Sequence, residues 1–157
     1  MSRTPPSRRA DFAAFRSLTT RWKDNDAYGH INNASYYSFI DTAITLWQIE
    51  AGMDISGPGG LRFVAAASGC TYFEEARFPD VLHLGVRVSR IGSSSVRYEV
   101  GVFRNDDDRA CTEGFFVHVC VDEAMRPLPI PDPARAAFES LLHPSGGAGS
   151  PDPAGPV

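Results

Sequence analysis

The sequence predicts an α+β fold in which one antiparallel sheet of about five strands curls around one long central helix. Three observations support this fold class. One helical segment, residues 34–51, is apolar over most of its circumference. Three later segments alternate between apolar and polar residues, as half-buried strands do. The elements follow the order strand, helix and four strands, and the helix is the element long enough to cover the sheet.

The helical segment is too apolar to lie on a surface. Its polar residues are spaced three, four and three apart and form one narrow stripe of Ser38, Asp41, Thr45 and Gln48. A helix with so little polar surface is buried on several sides. Asn33 or Ser35 is expected to cap its start, and Gly52 is expected to end it. At roughly 17 residues it is a poor membrane span, so no membrane span is expected.

Extended segments lie on both sides of the helix. Residues 17–23 are predicted to form the first strand, with Leu18, Thr20 and Trp22 on one face. Residues 61–78 form a long extended run after a Gly-rich connection, and Gly69 is expected to mark a bend or bulge there.

Three strands with clear alternation follow, over residues 81–91, 95–104 and 110–122. Short polar turns separate them, so they are predicted to pair in sequential order as an antiparallel meander. The side chains expected to face the helix are Leu82, Leu84, Val86, Val88, Val96, Tyr98, Val100, Val102, Phe115, Val117, Val119 and Val121.

Composition divides the chain into three parts. Residues 1–15 are polar and contain prolines, which predicts a flexible N-terminal arm. Residues 16–142 form the single predicted domain, ending in a short helix over residues 133–142. Residues 143–157 are rich in Pro and Gly and are expected to be a disordered tail.

The composition also excludes several classes of function. A net charge of −4 disfavours nucleic acid as a partner, because its phosphates require a basic surface. Cys70, Cys111 and Cys120 have no CxxC spacing, which predicts reduced thiols in a cytoplasmic protein without a signal peptide. The sequence has no metal-ligand spacing, no phosphate-binding glycine motif and no GxSxG motif, so no metal, cofactor or serine nucleophile is expected.

The loop over residues 24–33, DNDAYGHINN, carries most of the polar chemistry. It immediately precedes the helix, whose N-terminus presents unpaired N–H groups and a partial positive charge. Such donors suit the oxyanion that develops when an acyl carbonyl is attacked. Asp26 is the acid placed to face the same point, as a nucleophile or a base for water.

These residues also have structural interpretations. Asp24 and Asp26 could instead accept loop N–H groups, and Gly29 could serve a backbone requirement. His30 could bond the loop backbone, and Asn32 and Asn33 could act as turn or cap residues. Outside the loop, Asp41 is interpreted as a solvated or interfacial residue, and His83 and His118 as packing or surface residues.

The loop and the helix start resemble a known family. The pattern Asp24-x-Asp26-x-x-Gly29-His30-Ile31-Asn32-Asn33-x-x-Tyr36, placed after a strand, is similar to that of hotdog thioesterases of the 4-hydroxybenzoyl-CoA thioesterase type. The exit over residues 121–131 and the turn over residues 91–95 are also similar. The resemblance spans about residues 16–131.

This resemblance implies a hotdog fold and an acyl-CoA thioesterase that works as a homodimer or homotetramer. It implies that Asp26 is the catalytic carboxylate and that backbone N–H groups near Asn32 and Asn33 bind the thioester carbonyl. His30 is included in the catalytic set. The expected substrate-binding residues are Asp24, Gly29, Asn32, Tyr36, Arg90, Ser93 and Ser94. The GHINN form of the loop favours fatty acyl groups over aromatic ones.

Alternatives stay open at this point. The acyl group could be carried by acyl-carrier protein instead of CoA, or the chain could be a non-catalytic acyl-CoA-binding module of the same fold. Arg90 could hold CoA phosphates, although an exposed Arg at a strand end needs no such role. Because a single sheet leaves strand edges open, two copies are expected to join edge to edge with the loop near their interface.

Overall fold

The computed structural model describes residues 4–57 and 59–143. Its helices and strands are β1 (Ala14–Thr19), α1 (Ser35–Glu50), β2 (Arg62–Tyr72), β3 (Val81–Ile91), β4 (Ser95–Arg104), β5 (Thr112–Val121) and α2 (Asp132–Ser140). The five strands pair antiparallel in the order β1-β3-β4-β5-β2. Helix α1 packs on one face of this sheet, which confirms the predicted hotdog fold.

The main core lies between α1 and the sheet. The residues of α1 that are buried there are Tyr36, Phe39, Ile40, Ala43, Ile44, Trp47 and Gln48. The predicted inward faces of β3 and β4 are confirmed, since each of their apolar residues is at most 1% exposed. The prediction that Asn33 or Ser35 caps the start of α1 was wrong. Ala34 occupies the cap position, and the Asn32 side chain accepts the Ala34 N–H at 2.9 Å. Gly52 follows the helix with φ of +82°, which confirms the prediction that this glycine ends α1.

The face of β5 that contacts α1 is not the one that its apolar alternation predicts. Gly114 lies against the helix, and a Cβ there would stand 2.4 Å from the Ile40 side chain. The strand residues on this buried side are Thr112, Gly114, Phe116, His118 and Cys120. Phe115, Val117 and Val119 are half-buried on the outer face. The prediction for β5 was therefore wrong, and His118 lies on the helix side of the sheet.

Helix α2 covers part of the core as well, although the sequence interpretation assigned this to α1 alone. Its Phe138 is fully buried. The Phe138 ring lies 5.8 Å from that of Trp47, 5.9 Å from Tyr98 and 5.7 Å from Phe63, measured between centroids. The short C-terminal helix was correctly predicted within two residues at each end.

The N-terminal segment differs from the flexible arm expected over residues 1–15. Phe12 is 8% exposed and packs on the outer face of the sheet, where Gly85 and Gly101 leave room for its ring. The Arg9 guanidinium donates to the Asp107 carbonyl at 2.7 Å. Phe12 and Phe15, two aromatic residues in an otherwise polar segment, indicated that this segment packs on the domain. Residues 1–3 and 144–157, which include most of the expected disordered tail, lie outside the described residues.

Two strand details also differ from expectation. The first strand covers Ala14–Thr19 rather than residues 17–23, and Trp22 is 77% exposed within a short 3-10 helix. The irregularity in β2 falls between Ala65 and Ala67 rather than at Gly69. Gly69 instead makes room for the Phe115 ring, which would lie 2.6 Å from a Cβ at this position. Within the described ranges, none of the helices has the length and apolar character needed to cross a membrane.

Candidate active site

Backbone hydrogen bonds hold the loop before α1 in a tight turn. The Asp26 N–H donates to the His30 carbonyl at 2.8 Å, and the Gly29 N–H donates to the Asp26 carbonyl at 3.1 Å. Gly29 has φ of +79°, a conformation that glycine adopts without a steric penalty. The Ile31 N–H donates to the Ala76 carbonyl at 2.8 Å, which docks the loop on the segment after β2.

Asp24 belongs to the structural frame of this loop. It is 3% exposed, and its carboxylate accepts the Arg21 backbone N–H at 2.7 Å and the Arg21 guanidinium at 2.9 Å. Burial alone would raise the pKa of Asp24, but the hydrogen bonds and charge of Arg21 outweigh burial and lower it below its ordinary value. The Asp24 carbonyl accepts the Asn32 N–H at 2.8 Å, which ties the two ends of the loop together.

Asp26 lies at a cavity of about 360 Å³ at the start of α1. Its Oδ1 accepts the Tyr28 N–H at 2.9 Å and, at a longer 3.4 Å, the His30 N–H. In the parts of the chain that the structure describes, its Oδ2 has no hydrogen-bond partner. The residues lining the cavity are Asp26, Tyr28, His30, Ile31, Asn33, Tyr36, Tyr72, Glu74 and Glu75. One carboxylate oxygen is therefore available to a ligand or water in this cavity.

Asn33, at the start of α1, lines the same cavity and carries a free backbone donor among the described residues. The Ala34 N–H is occupied by the Asn32 side chain, and the Asn32 N–H by the Asp24 carbonyl. Among residues 4–57 and 59–143, no acceptor pairs with the Asn33 N–H. The Asn33 carbonyl accepts the Tyr72 hydroxyl at 2.9 Å, which anchors this residue to the end of β2. Of the two asparagines, Asn33 has the free donor that an oxyanion site requires.

Two tyrosines form a wall of the cavity. Tyr36 is 3% exposed, and its ring lies 5.5 Å from that of Tyr72 in an edge-on contact. Burial raises the pKa of Tyr36 to about 12, and burial also raises the pKa of Tyr72 to about 12. Both phenols are therefore neutral at physiological pH.

Two glutamates complete the cavity, and the sequence interpretation missed both. The Glu75 carboxylate lies 2.8 Å from Nε2 of His30, and the Glu74 carboxylate lies 3.0 Å from the Arg104 guanidinium. Both glutamates lie within residues 61–78, which were predicted as one extended segment, whereas β2 ends at Tyr72. Two adjacent acids at the end of this run were the available signal.

Three predicted substrate-binding residues lie far from this cavity in the same protomer. Arg90, Ser93 and Ser94 surround the turn between β3 and β4. The chain enters β3 next to the loop, since the Phe78 N–H donates to Oδ1 of Asn25 at 3.1 Å. Strand β3 then ends about 30 Å away at 3.3 Å per residue. Asp24, Gly29 and Asn32 are in the loop but do not line the cavity.

The arrangement is suited to attack on a carbonyl group. It combines a carboxylate oxygen that no described residue pairs with, a backbone donor at a helix N-terminus and two neutral phenols. Over the described residues, no three His, Cys, Asp or Glu side chains are grouped so as to hold a metal ion.

The comparisons with known proteins agree with this chemistry. The model of the thioesterase-like superfamily matches residues 20–138. No curated protein matches the chain. The PA5185 protein of Pseudomonas aeruginosa PAO1 is 41% identical, with a TM-score of 0.84 over 88% of this chain and 97% of that one. The PA2801 protein of the same species is 30% identical, with a TM-score of 0.74 over 79% and 96% of the two chains.

A more distant neighbour shows the fold alone. Slr0204, a 1,4-dihydroxy-2-naphthoyl-CoA thioesterase from Synechocystis, is 15% identical, with a TM-score of 0.74 over 83% of this chain and 98% of that one. The family match covers most of the chain, including the Asp26 loop and every strand after it. The chain belongs to the thioesterase-like superfamily, and the reaction class that this membership supports is thioester hydrolysis.

Proposed function

We propose that this chain hydrolyses acyl-CoA thioesters to a free acid and CoA, with Asp26 as the catalytic carboxylate. The observation that carries the proposal is that Oδ2 of Asp26 and the N–H of Asn33, both unpaired among the described residues, belong to residues lining one cavity. Hydrolysis of a thioester needs these two elements, a base or nucleophile and an oxyanion donor, and it needs no metal.

Two routes fit this arrangement. In the first, Asp26 attacks the carbonyl carbon, the thiolate of CoA leaves, and water hydrolyses the resulting acyl anhydride. In the second, Asp26 takes a proton from a water molecule that attacks the same carbon, and the thiolate leaves with a proton returned by the carboxylic acid. In both, the carbonyl oxygen becomes negative next to the Asn33 N–H and the positive end of α1. Removing one such donor costs about 10²–10³ in rate in other enzymes.

His30 is proposed to close the cavity beside Asp26. Its backbone N–H contacts the Asp26 carboxylate, and its ring is held by Glu75. The ring therefore has a fixed orientation from which to contact the thioester or the attacking water. Tyr36 supplies an apolar ring next to the same point, as the sequence pattern predicts.

A homodimer is proposed to complete the substrate site. Strand β2 is an eleven-residue edge strand, and its last residue bonds Asn33 of the loop. An open edge of this length favours pairing with another strand. If two β2 strands pair about a two-fold axis, they run antiparallel. The end of β2 in one protomer then lies beside the start of β2 in the other. The partner's turn with Arg90, Ser93 and Ser94 then approaches the end of the sheet that carries the Asp26 loop, where the CoA phosphates could bind.

The proposal is tested with a panel of short, long and aromatic acyl-CoA substrates, with release of free thiol as the readout. We expect the wild-type chain to release CoA, with fatty acyl groups preferred, and the Asp26→Asn variant to release almost none. The same acyl groups on acyl-carrier protein should be poorer substrates. Binding without release by the wild-type chain would favour a non-catalytic acyl-CoA-binding module instead.

The oligomer is tested separately by light scattering at micromolar concentration. We expect the mass of a dimer or a tetramer made from two such dimers. A monomer that still hydrolyses acyl-CoA would overturn the proposed β2 interface.

A further inference from the structure

A second cavity, of about 230 Å³, lies farther along α1. It is bounded by the polar stripe of α1, by the first residues of β2 and by His118 of β5. It shares no lining residue with the Asp26 cavity. The residues of the stripe that line it are Asp41, Thr45 and Gln48. Asp41 is exposed, Thr45 is half-buried and Gln48 is buried, so the stripe runs from solvent into the cavity.

His118 is the buried polar residue of this cavity. It is 6% exposed, and its ring lies 6.5 Å from that of Phe63 in a stacked contact and 5.3 Å from that of Tyr98 in an edge-on contact. Within the described residues, its Nδ1 is buried and has no hydrogen-bond partner. Because so little of Nδ1 is exposed, a molecule in the cavity would contact the other ring nitrogen, Nε2, which also has no partner among the described residues.

The protonation state of His118 defines which groups can pair with its ring. Burial lowers the pKa of His118, and the opposing effect of the Asp41 charge does not outweigh it. The ring is therefore neutral, with one nitrogen that donates and one that accepts. A hydroxyl group can pair with either nitrogen, and a keto oxygen can pair with the donor, whereas a methyl group can pair with neither.

The rest of the lining resembles a small-molecule site. Gln48 is 3% exposed and donates to the Tyr98 hydroxyl at 3.0 Å, so its amide is held in place. Ile55, Leu61 and Phe63 supply the apolar part of the wall. Ligand pockets combine an apolar wall with a few fixed polar groups, and this lining contains both.

The position of the cavity relates it to the Asp26 site. Asp41 and Gln48 come five and twelve residues after Tyr36, which lines the first cavity. At 1.5 Å per residue they lie about 8 and about 18 Å farther along the helix axis. The exposed Ser38 lies between the two cavities on the same stripe. These axial separations are within the length of a long acyl chain held at the helix start.

We propose that this second cavity is a specificity subsite that binds the distal end of the acyl group when that end carries a hydroxyl or keto oxygen, which His118 hydrogen-bonds. The inference deepens the proposed function and rests on it, because the acyl group is the one held at Asp26. Sites that hydrogen-bond a substrate oxygen discriminate strongly against the analogue that lacks it.

The test uses pairs of acyl-CoA substrates that differ only in a terminal hydroxyl, at several chain lengths. For the wild-type chain we expect kcat/KM to favour the hydroxylated member by about tenfold or more at lengths that reach the cavity. His118→Phe keeps the aromatic contacts and removes both nitrogens. It should abolish the preference while leaving the unsubstituted substrates within a few-fold of wild type. If this variant does not fold, Thr45→Val removes a hydroxyl from the same lining with little change in shape and should weaken the preference.

A binding experiment separates this inference from the proposed function. Calorimetry measures the affinity of the free hydroxy acid and of the unsubstituted acid for wild type and for His118→Phe, without any hydrolysis. Tighter binding of the hydroxy acid only by wild type would support the subsite, even if the chain hydrolysed no thioester. Hydrolysis of acyl-CoA with equal kcat/KM and equal affinity for both members of every pair would overturn the subsite and leave water as the partner of His118.

Discussion

Asp24 and Asp26 stand two residues apart in one loop, but their surroundings differ. Asp24 is buried, and Arg21 contacts both of its carboxylate oxygens. Asp26 is half-buried and lines a cavity, with Oδ2 unpaired within the described residues. The same chemical group therefore accepts hydrogen bonds that hold the loop at one position and borders a cavity at the other. The hydrogen-bond partners of each carboxylate, rather than its place in the sequence pattern, distinguish Asp24 from Asp26.

The largest expected effect is on catalysis, at the Asp26 side of this comparison. Asp26→Asn keeps the shape of the side chain and removes the charge that attacks the carbonyl or accepts a proton. We expect hydrolysis to fall by about 10²–10⁴, the range for a lost general base, while acyl-CoA binding and thermal stability stay close to wild type. Steady-state kinetics and calorimetry measure these quantities. Turnover within a few-fold of wild type on every acyl-CoA would remove Asp26 from the mechanism.

A single turnover in heavy-oxygen water distinguishes the two routes at Asp26. Label that enters the Asp26 carboxylate requires an anhydride between the protein and the acyl group. Label found only in the released acid supports attack by water. Asp24 is the internal control, because its buried carboxylate should acquire no label in either case.

The next largest effect is on stability, at the Asp24 side. Asp24→Asn leaves the Arg21 N–H and guanidinium facing a neutral amide. Hydrogen bonds to a charged group contribute about 1.5–3 kcal/mol to the free energy of unfolding, so we expect a loss of this order. Activity should fall far less than in Asp26→Asn. Denaturant unfolding of both variants provides the comparison, and equal stability of the two would contradict the structural role assigned to Asp24.

The pH dependence of stability sharpens the same assignment. Because the folded-state pKa of Asp24 lies below its unfolded value of about 3.9, its stabilising contribution is complete above that value. The contribution is lost as pH falls through the lower, folded-state pKa. We therefore expect wild type and Asp24→Asn to differ by a constant free energy of unfolding at neutral pH and to converge below about pH 4. A difference that does not change down to the lowest pH would show that the Asp24 charge contributes nothing.

The sequence was sufficient for elements whose burial follows one local pattern. Strands β3 and β4 begin and end at the predicted residues, because their apolar residues alternate with charged or small ones. Helix α1 was correctly predicted within one residue at each end, because it is apolar over most of its surface. The cavity residues within the loop also follow from local sequence, since Asp26, His30 and Asn33 are close neighbours in the chain.

What the sequence missed depends on tertiary contacts. Strand β5 carries apolar residues on both faces, so alternation could not identify the face that meets α1; the contact of Gly114 with Ile40 does. Tyr72 and Glu75 reach the Asp26 cavity only because β2 returns along the sheet to the helix start. The face that β5 turns toward α1 also places His118 in the core, which agrees with the packing interpretation of this residue.

A smaller effect is expected at Arg90, which lies far from both acids in one protomer. If it meets CoA phosphates across the proposed dimer, Arg90→Ala should raise KM for acyl-CoA by about tenfold, the loss of one charge-assisted hydrogen bond. An acyl-pantetheine substrate, which lacks the nucleotide, should be almost unaffected and serves as the control. Equal changes in KM on both substrates would remove Arg90 from phosphate binding.

The smallest effect is expected at Glu75, whose contact orients His30 beside Asp26. Its side chain is 68% exposed, and exposed ion pairs contribute at most about 1 kcal/mol. Glu75→Gln keeps a hydrogen-bond acceptor near Nε2 of His30, so we expect kcat to fall by less than about fivefold with KM nearly unchanged. Glu75→Ala removes the acceptor and should lower kcat further. Because water and salt screen this contact, raising the salt concentration should bring wild type closer to Glu75→Gln, while Asp26→Asn stays inactive at every concentration. A loss in Glu75→Gln as large as that in Asp26→Asn would mean that Glu75 itself acts on the thioester, and that the catalytic carboxylate was assigned to the wrong side of the cavity.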